Sequence, residues 1–304
     1  MNEPIFNQRI KDILNRSDKL SEKIILDFEK KLIREYKLFL KEIQGLIGDL
    51  FTKIENPTYA DVIKFNRLTN LEKNIHDEIQ RLTNESVRIT RNSIKDLFSQ
   101  NYYYTGYAME SVGVKLGFGV LNPKVIEAAI LNPVDRIKWS ERLRVNQALF
   151  ERQIKESLTQ GLIQGKGYYK IARDVKDRAE IGGGKVLRIL RTEGHRAQNM
   201  GRLQGYEKGK NAAERLGLLA TRVWVSVIDD RTRPDHVEMN GQGENQDGLF
   251  VFPNGGSAEA PGLSGIPEED INCRCVAKIE MLGFGEGKIP PIMSYNEWAS
   301  SKGI

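Results

Sequence analysis

The residues best suited to chemistry gather in two short stretches of the chain. One is Asp229-Asp230-Arg231-Thr232-Arg233-Pro234-Asp235-His236, and the other is Asn272-Cys273-Arg274-Cys275. Together they hold one of the three histidines and both of the cysteines in 304 residues. Imidazole and thiolate are the ligands zinc takes first. Alternate residues of a strand point the same way, so Cys273 and Cys275 can face one ion, with His236 as a third ligand. Asp230, Asp235 or Asp270 would then complete a tetrahedron. Two thiols and one histidine fall short of a closed Cys/His set. The competing reading is a reduced, partly buried cysteine pair beside a structural histidine. Asp229, Asp230, His236 and Asp270 also suit a divalent cation used for hydrolysis, which keeps a metal-dependent enzyme such as a nuclease as the alternative. Neither a nucleophile elbow nor a dinucleotide fingerprint accompanies them.

A second constellation lies upstream. Arg191, His195, Asn199 and Arg202 share one face of a helix, and Leu187, Leu190, Gly194, Ala197 and Gly201 share another. The small-residue face admits close approach of a second element. The polar face meets either phosphates or the carboxylates of Asp229 and Asp230. Between Lys170 and Arg222 there are thirteen Lys/Arg against six Asp/Glu, an excess above the +5 of the whole chain. That concentration suits double-stranded DNA, with Lys185, Arg188, Arg196 and Arg202 as candidate contacts. A solvated helical face has the same composition.

The elements that must position these groups are mostly helical. Ile25, Phe28, Leu32, Tyr36, Phe39, Ile43, Leu46, Leu50 and Ile54 recur at three- and four-residue steps, the stripe of a long amphipathic helix. Asn56-Pro57 ends it, and Phe65, Leu68, Ile75, Ile79 and Leu82 mark a second helix. The pair reads as a long N-terminal hairpin, either an arm that docks on a partner or part of a bundle. Tyr102-Tyr103-Tyr104 reads as an aromatic hinge, with base stacking as the alternative. A helix starts near Trp139 after Asn132-Pro133 and runs toward Gly161; a short one covers Tyr168 to Ala179. Gly182-Gly183-Gly184-Lys185 lacks the hydroxyl residue of a phosphate loop and reads as a helix-to-helix turn. Val223 to Ile228, Leu249 to Phe252 and Cys275 to Ile279 read as strands. The expected fold class is therefore mainly α with a small C-terminal α+β domain. The expected division is 1–113 for the long helices, 114–221 for the helical middle, 222–282 for the mixed unit and 283–304 for an extended tail.

Composition bounds the rest. A hydrophobic content of 39% supports a real core. No stretch approaches the roughly 20 apolar residues of a membrane helix. The opening residues lack the basic and apolar regions of a signal peptide, and a disulfide framework is excluded, so a reducing cytoplasm is the expected setting.

Arg191-Thr192-Glu193, Asn199, Trp224, Asp230-Arg231-Thr232-Arg233-Pro234 with His236, Asn240-Gly241 and Asn272-Cys273-Arg274-Cys275 occur in an order that resembles the Mu F-like minor head morphogenesis proteins of tailed phages. The resemblance spans roughly Trp139 to Met281. It implies a non-enzymatic minor capsid protein inside the virion head, acting in head assembly in the host cytoplasm. It further implies portal, major capsid or scaffold proteins as partners, and no membrane. Arg191, Glu193, Asn199, Asp230, Arg231, His236 and Arg274 are the motif residues it singles out. Some relatives carry a fuller zinc set than His236, Cys273 and Cys275. Ion pairs such as Asp230 with Arg191 or Arg274 are the other means of tying these loops.

Overall fold

The computed structural model describes residues 3–53, 59–64, 66–131, 138–283 and 291–304. In chain order the elements are α1 (Glu3–Lys53), α2 (Tyr59–Lys64), α3 (Arg67–Glu110), α4 (Pro123–Leu131), α5 (Trp139–Ile163), α6 (Tyr168–Glu214) and β1 (Leu219–Val225). There follow α7 (Pro234–Glu238), β2 (Phe250–Val251), β3 (Ser257–Ala258), α8 (Pro267–Asp270), β4 (Val276–Leu282) and α9 (Tyr295–Ser301). Helix predominates and the short strands cluster toward the C-terminal end, the fold class the patterning indicates. Ile54, Asn56-Pro57, Phe65 and Asn132-Pro133 lie outside the described residues. Among the described residues, no helix is long and apolar enough to cross a membrane.

The chain forms two compact units, each drawn from separated segments. The first comprises residues 27–91 and 137–190. Its core sets Phe39, Ile43 and Ile47 of α1 against Ile75 and Ile79 of α3, Phe150 and Ile154 of α5, and Ile171 and Val175 of α6. These are the positions at which the apolar periodicity places a buried stripe. The glycine run behaves differently from the expected turn. α6 continues unbroken through Gly182, Gly183 and Gly184, and the separate short helix expected from Tyr168 is its first part. A Cβ on Gly182 would lie 3.0 Å from the Phe150 ring, and one on Gly183 3.3 Å from the Tyr36 ring. The missing side chains make room for those rings, which offsets the intrinsic cost of glycine in a helix.

The second unit comprises residues 1–26, 92–136 and 191–304. Within it α1 and α3 run antiparallel, with Arg9 Nη1 donating to Ser111 O and Ser17 Oγ to Asn101 Oδ1. The small-residue face of α6 admits α3: Gly201 abuts the Phe98 backbone and Gly205 faces Thr105. The tyrosine run is no hinge, because α3 continues through it to Glu110. Its rings find partners within the unit. Tyr104 stacks on Tyr295 at 4.2 Å between centroids, and Tyr102 meets Phe118 edge-on.

β1 starts earlier than its alternation suggested and stops at Val225, leaving Val227 and Ile228 exposed beyond it. It pairs antiparallel with β4, Trp224 opposite Ala277 and Val225 opposite Val276. β2 and β3 form a hairpin inside the Gly-rich loop, Phe250 opposite Ala258. Trp224, Met239, Phe250, Phe252, Ala258 and Ala277 build a small core there. The tail corrects the expectation of an extended segment from Gly283. Ser294 and Glu297 form a capping box that starts α9, and Trp298 is buried with its Nε1 donating to Glu110 Oε2 at 2.8 Å.

Candidate functional site

The pairing of β1 with β4 brings the two chemically rich stretches together. Pro234 opens α7, where a missing N–H costs nothing, and the single turn carries His236 inward to 2% exposure. Ser226, just past β1, donates to the His236 carbonyl at 2.5 Å and accepts from Trp224 Nε1 at 3.0 Å. The imidazole stacks on Phe252 and meets Trp224 edge-on. On the other side, Asn272 adopts the left-handed conformation, φ 57°, which asparagine tolerates better than most residues. That turn aims both following thiols at the histidine. Cys275 Sγ lies 3.4 Å and Cys273 Sγ 3.7 Å from His236 Nδ1. The opposite ring nitrogen, Nε2, lies 2.9 Å from Glu269 Oε2.

Both cysteines are reduced and buried. A hydrogen bond from Cys273, followed by those of His236 and Ser226, lowers the pKa of Cys275 against its burial. The same Cys275 contact, followed by burial, raises the pKa of Cys273. Burial opposes charge on His236, yet its contacts with Cys275 and Glu269 outweigh it and raise its pKa.

α6 supplies the clamp. Thr192 Oγ1 accepts from Asn272 N at 3.1 Å, Asn199 Nδ2 donates to Cys275 O at 3.0 Å, and Asn199 Oδ1 accepts from Ala277 N at 3.2 Å. The polar face of α6 therefore meets β4 rather than Asp229 and Asp230. Arg202 donates to Asp18 Oδ1 at 2.5 Å, to Asn101 Oδ1 and to Ala277 O. Burial, before any other cause, lowers the pKa of His195. Arg191, at the start of that face, is exposed.

Several expected roles are corrected. Asp230 is exposed, and Asp229 instead takes Arg274 in a fork at 2.5 and 2.6 Å. The Arg274 contact is the main reason the Asp229 carboxyl is held well below the usual carboxylate range. Asp229 also accepts from Arg231 N, and Arg231 itself points outward. Asp270 is buried but spends its oxygens on Ser264 and Gly265, holding that loop rather than approaching the thiols. The carboxylate hydrogen-bonded to the histidine ring is Glu269, one position earlier. Arg196 and Arg202 are 6% and 2% exposed, so neither is free to meet DNA; Arg196 lies 3.6 Å from Glu193. Arg188 is exposed and Lys185 partly so. Sequence reasoning named Thr192 only as part of Arg191-Thr192-Glu193 and passed over Glu269 and Asp18; of these two, Glu269 alone left a signal, in the run Glu268-Glu269-Asp270 ahead of the cysteines.

The motif residues that converge here tie helix, loop and thiol turn into one unit. The family described as Phage Mu protein F like protein matches residues 152–278. The Minor head protein GP7 of Bacillus phage SPP1 is 30% identical over 300 residues, covering 94% of this chain and 96% of that protein. The chain belongs to the Mu F-like minor head protein family. It is also similar to the NAD(+)--arginine ADP-ribosyltransferase EFV of Enterococcus faecalis (strain ATCC 700802 / V583), 26% identical over 283 residues; it spans 90% of this chain but 57% of that protein. No solved structure matches it.

Proposed function

We infer that the chain is a minor structural component of a phage head, acting in head assembly at the portal vertex. Its partners on this reading are the portal protein and the major capsid or scaffold proteins. It resides inside the virion after assembly in the host cytoplasm. The single observation that carries the reading is the end-to-end similarity to a minor head protein, 94% of one chain against 96% of the other. The engagement of the residues around the site supports a structural rather than a catalytic role. Thr192, Asn199, Arg202, Asp229 and Arg274 are all engaged in joining one part of the fold to another.

The transferase named in the Enterococcus relative belongs, on this reading, to the part of that protein outside the match. Purified chain incubated with NAD and arginine acceptors is expected to transfer nothing. The direct test is to assemble heads from the portal, capsid and scaffold proteins of the same phage, with and without this chain. The expected result is incorporation in few copies and defective heads when it is omitted. Heads of normal composition and infectivity without it would overturn the proposal.

DNA contact is a finer element of the same reading. On α6, Lys170, Arg173, Arg178 and Arg188 are exposed, and Lys185 is partly so. These, not Arg196 and Arg202, are the residues able to meet phosphates.

A further inference from the structure

The sulfurs of Cys273 and Cys275 and Nδ1 of His236 all lie within 4.8 Å of one another, and all three residues are buried. Their separations carry information. A tetrahedral zinc ion with bonds of ~2.3 Å to sulfur and ~2.0 Å to nitrogen holds an N and an S ligand about 3.5 Å apart. The two sulfur-to-nitrogen distances are 3.4 and 3.7 Å. Both sulfurs approach the same ring nitrogen. A ring nitrogen carries either one in-plane lone pair or one N–H, so hydrogen bonding in either protonation state satisfies only one of the two contacts well. One ion shared by the three atoms explains both.

The outer groups fit as well. Glu269 at Nε2 fixes the tautomer that carries its proton there and turns the Nδ1 lone pair toward the thiols. A carboxylate behind a ligating histidine is the usual support of a zinc site. Glu269 is itself held by Asn254 Nδ2 at 2.9 Å. The backbone on either side of the cysteines is fixed by Thr192 and Asn199, so the donors are oriented before any ion arrives.

We propose that Cys273 Sγ, Cys275 Sγ and His236 Nδ1 bind one zinc ion, with a solvent oxygen as fourth ligand and Glu269 as the orienting carboxylate. The site excludes magnesium and calcium, which prefer all-oxygen shells. The ion ties the α7 loop to the turn before β4. This proposal rests on side-chain geometry alone and does not depend on the head-assembly reading. A competing arrangement exists in the same atoms, because Cys275, His236 and Glu269 line up as a nucleophile, base and orienting acid. Burial decides between them. Cys275 is 2% exposed, and a nucleophile must reach its substrate.

The full chain, expressed without a polyhistidine tag in zinc-supplemented medium, tests this. Elemental analysis is expected to find about one zinc ion per chain. Replacement by cobalt(II) is expected to produce the intense charge-transfer and visible bands of a tetrahedral thiolate site. Cys273→Ser with Cys275→Ser abolishes both signals. Should that variant fail to fold, the wild-type chain stripped by a chelator gives the same answer: it melts lower, and zinc restores it while magnesium does not. Metal-free protein from zinc-replete cells or cobalt bound without thiolate bands would overturn the proposal.

Discussion

Asn199 holds Cys275 in place through the backbone: its Nδ2 donates to the Cys275 carbonyl at 3.0 Å while its Oδ1 accepts from Ala277 N at 3.2 Å. One amide side chain thus satisfies a buried acceptor and a buried donor at the start of β4. Asn199→Leu preserves bulk and removes both bonds. Each orphaned buried group costs about 1–3 kcal/mol, so urea unfolding should show a loss in that range or above it. A variant as stable as the parent would mean that the clamp contributes nothing.

Arg202 on one side, and the exposed Arg188 with the partly exposed Lys185 on the other, should separate stability from nucleic-acid binding. Arg202→Met removes one partner of an internal ion pair and is expected to cost about 3 kcal/mol, with DNA affinity unchanged once the protein is folded. Lys185→Glu with Arg188→Glu should leave stability nearly unaltered, weaken DNA binding and flatten its salt dependence. Fluorescence anisotropy at several salt concentrations reads the second effect. The reverse pattern would return Arg202 to the DNA surface.

The Asp229–Arg274 fork has a defined pH signature. The folded pKa of Asp229 is depressed, so its contribution is present above the ordinary aspartate value of about 3.9 and fades as pH falls toward the folded value. Asp229→Asn should therefore be less stable than the parent at neutral pH, with the gap narrowing on acidification. A gap that does not change with pH would mean that charge is not the source of the stabilisation.

The glycine run distinguishes a helix from a turn. Nothing lies within 4 Å of a Cβ placed on Gly184, so Gly184→Ala should stabilise the chain by up to about 1 kcal/mol. Gly182→Val would press on Phe150 and should cost about 1–3 kcal/mol. Thermal unfolding of both variants decides; destabilisation by Gly184→Ala would indicate the turn.

Much of this was legible in the residues, and the failures have physical causes. The apolar repeat of α1 and α3 announces their buried faces because helical geometry brings i, i+3 and i+4 together. The small-residue face of α6 signals a close neighbour, which proves to be α3. The glycine triplet misleads because local propensity favours a turn, while packing against Phe150 and Tyr36 favours continuing the helix. His236 and the two cysteines stand out by rarity, and their convergence follows once β1 pairs with β4. Glu269 could not be chosen over Asp270 from spacing alone, since the single turn of α8 decides which carboxylate faces the histidine. Asp229 and Asp230 are equally ambiguous until the turn at Thr232 selects one for Arg274. The two compact units interleave along the chain, so no linear change of composition marks them.

The central claim, a structural place in the head beside the portal, is tested most directly by cross-linking mass spectrometry on purified heads. The account predicts that the chain is present in few copies, with cross-links to the portal protein. Heads that contain portal and capsid proteins but none of this chain would contradict it.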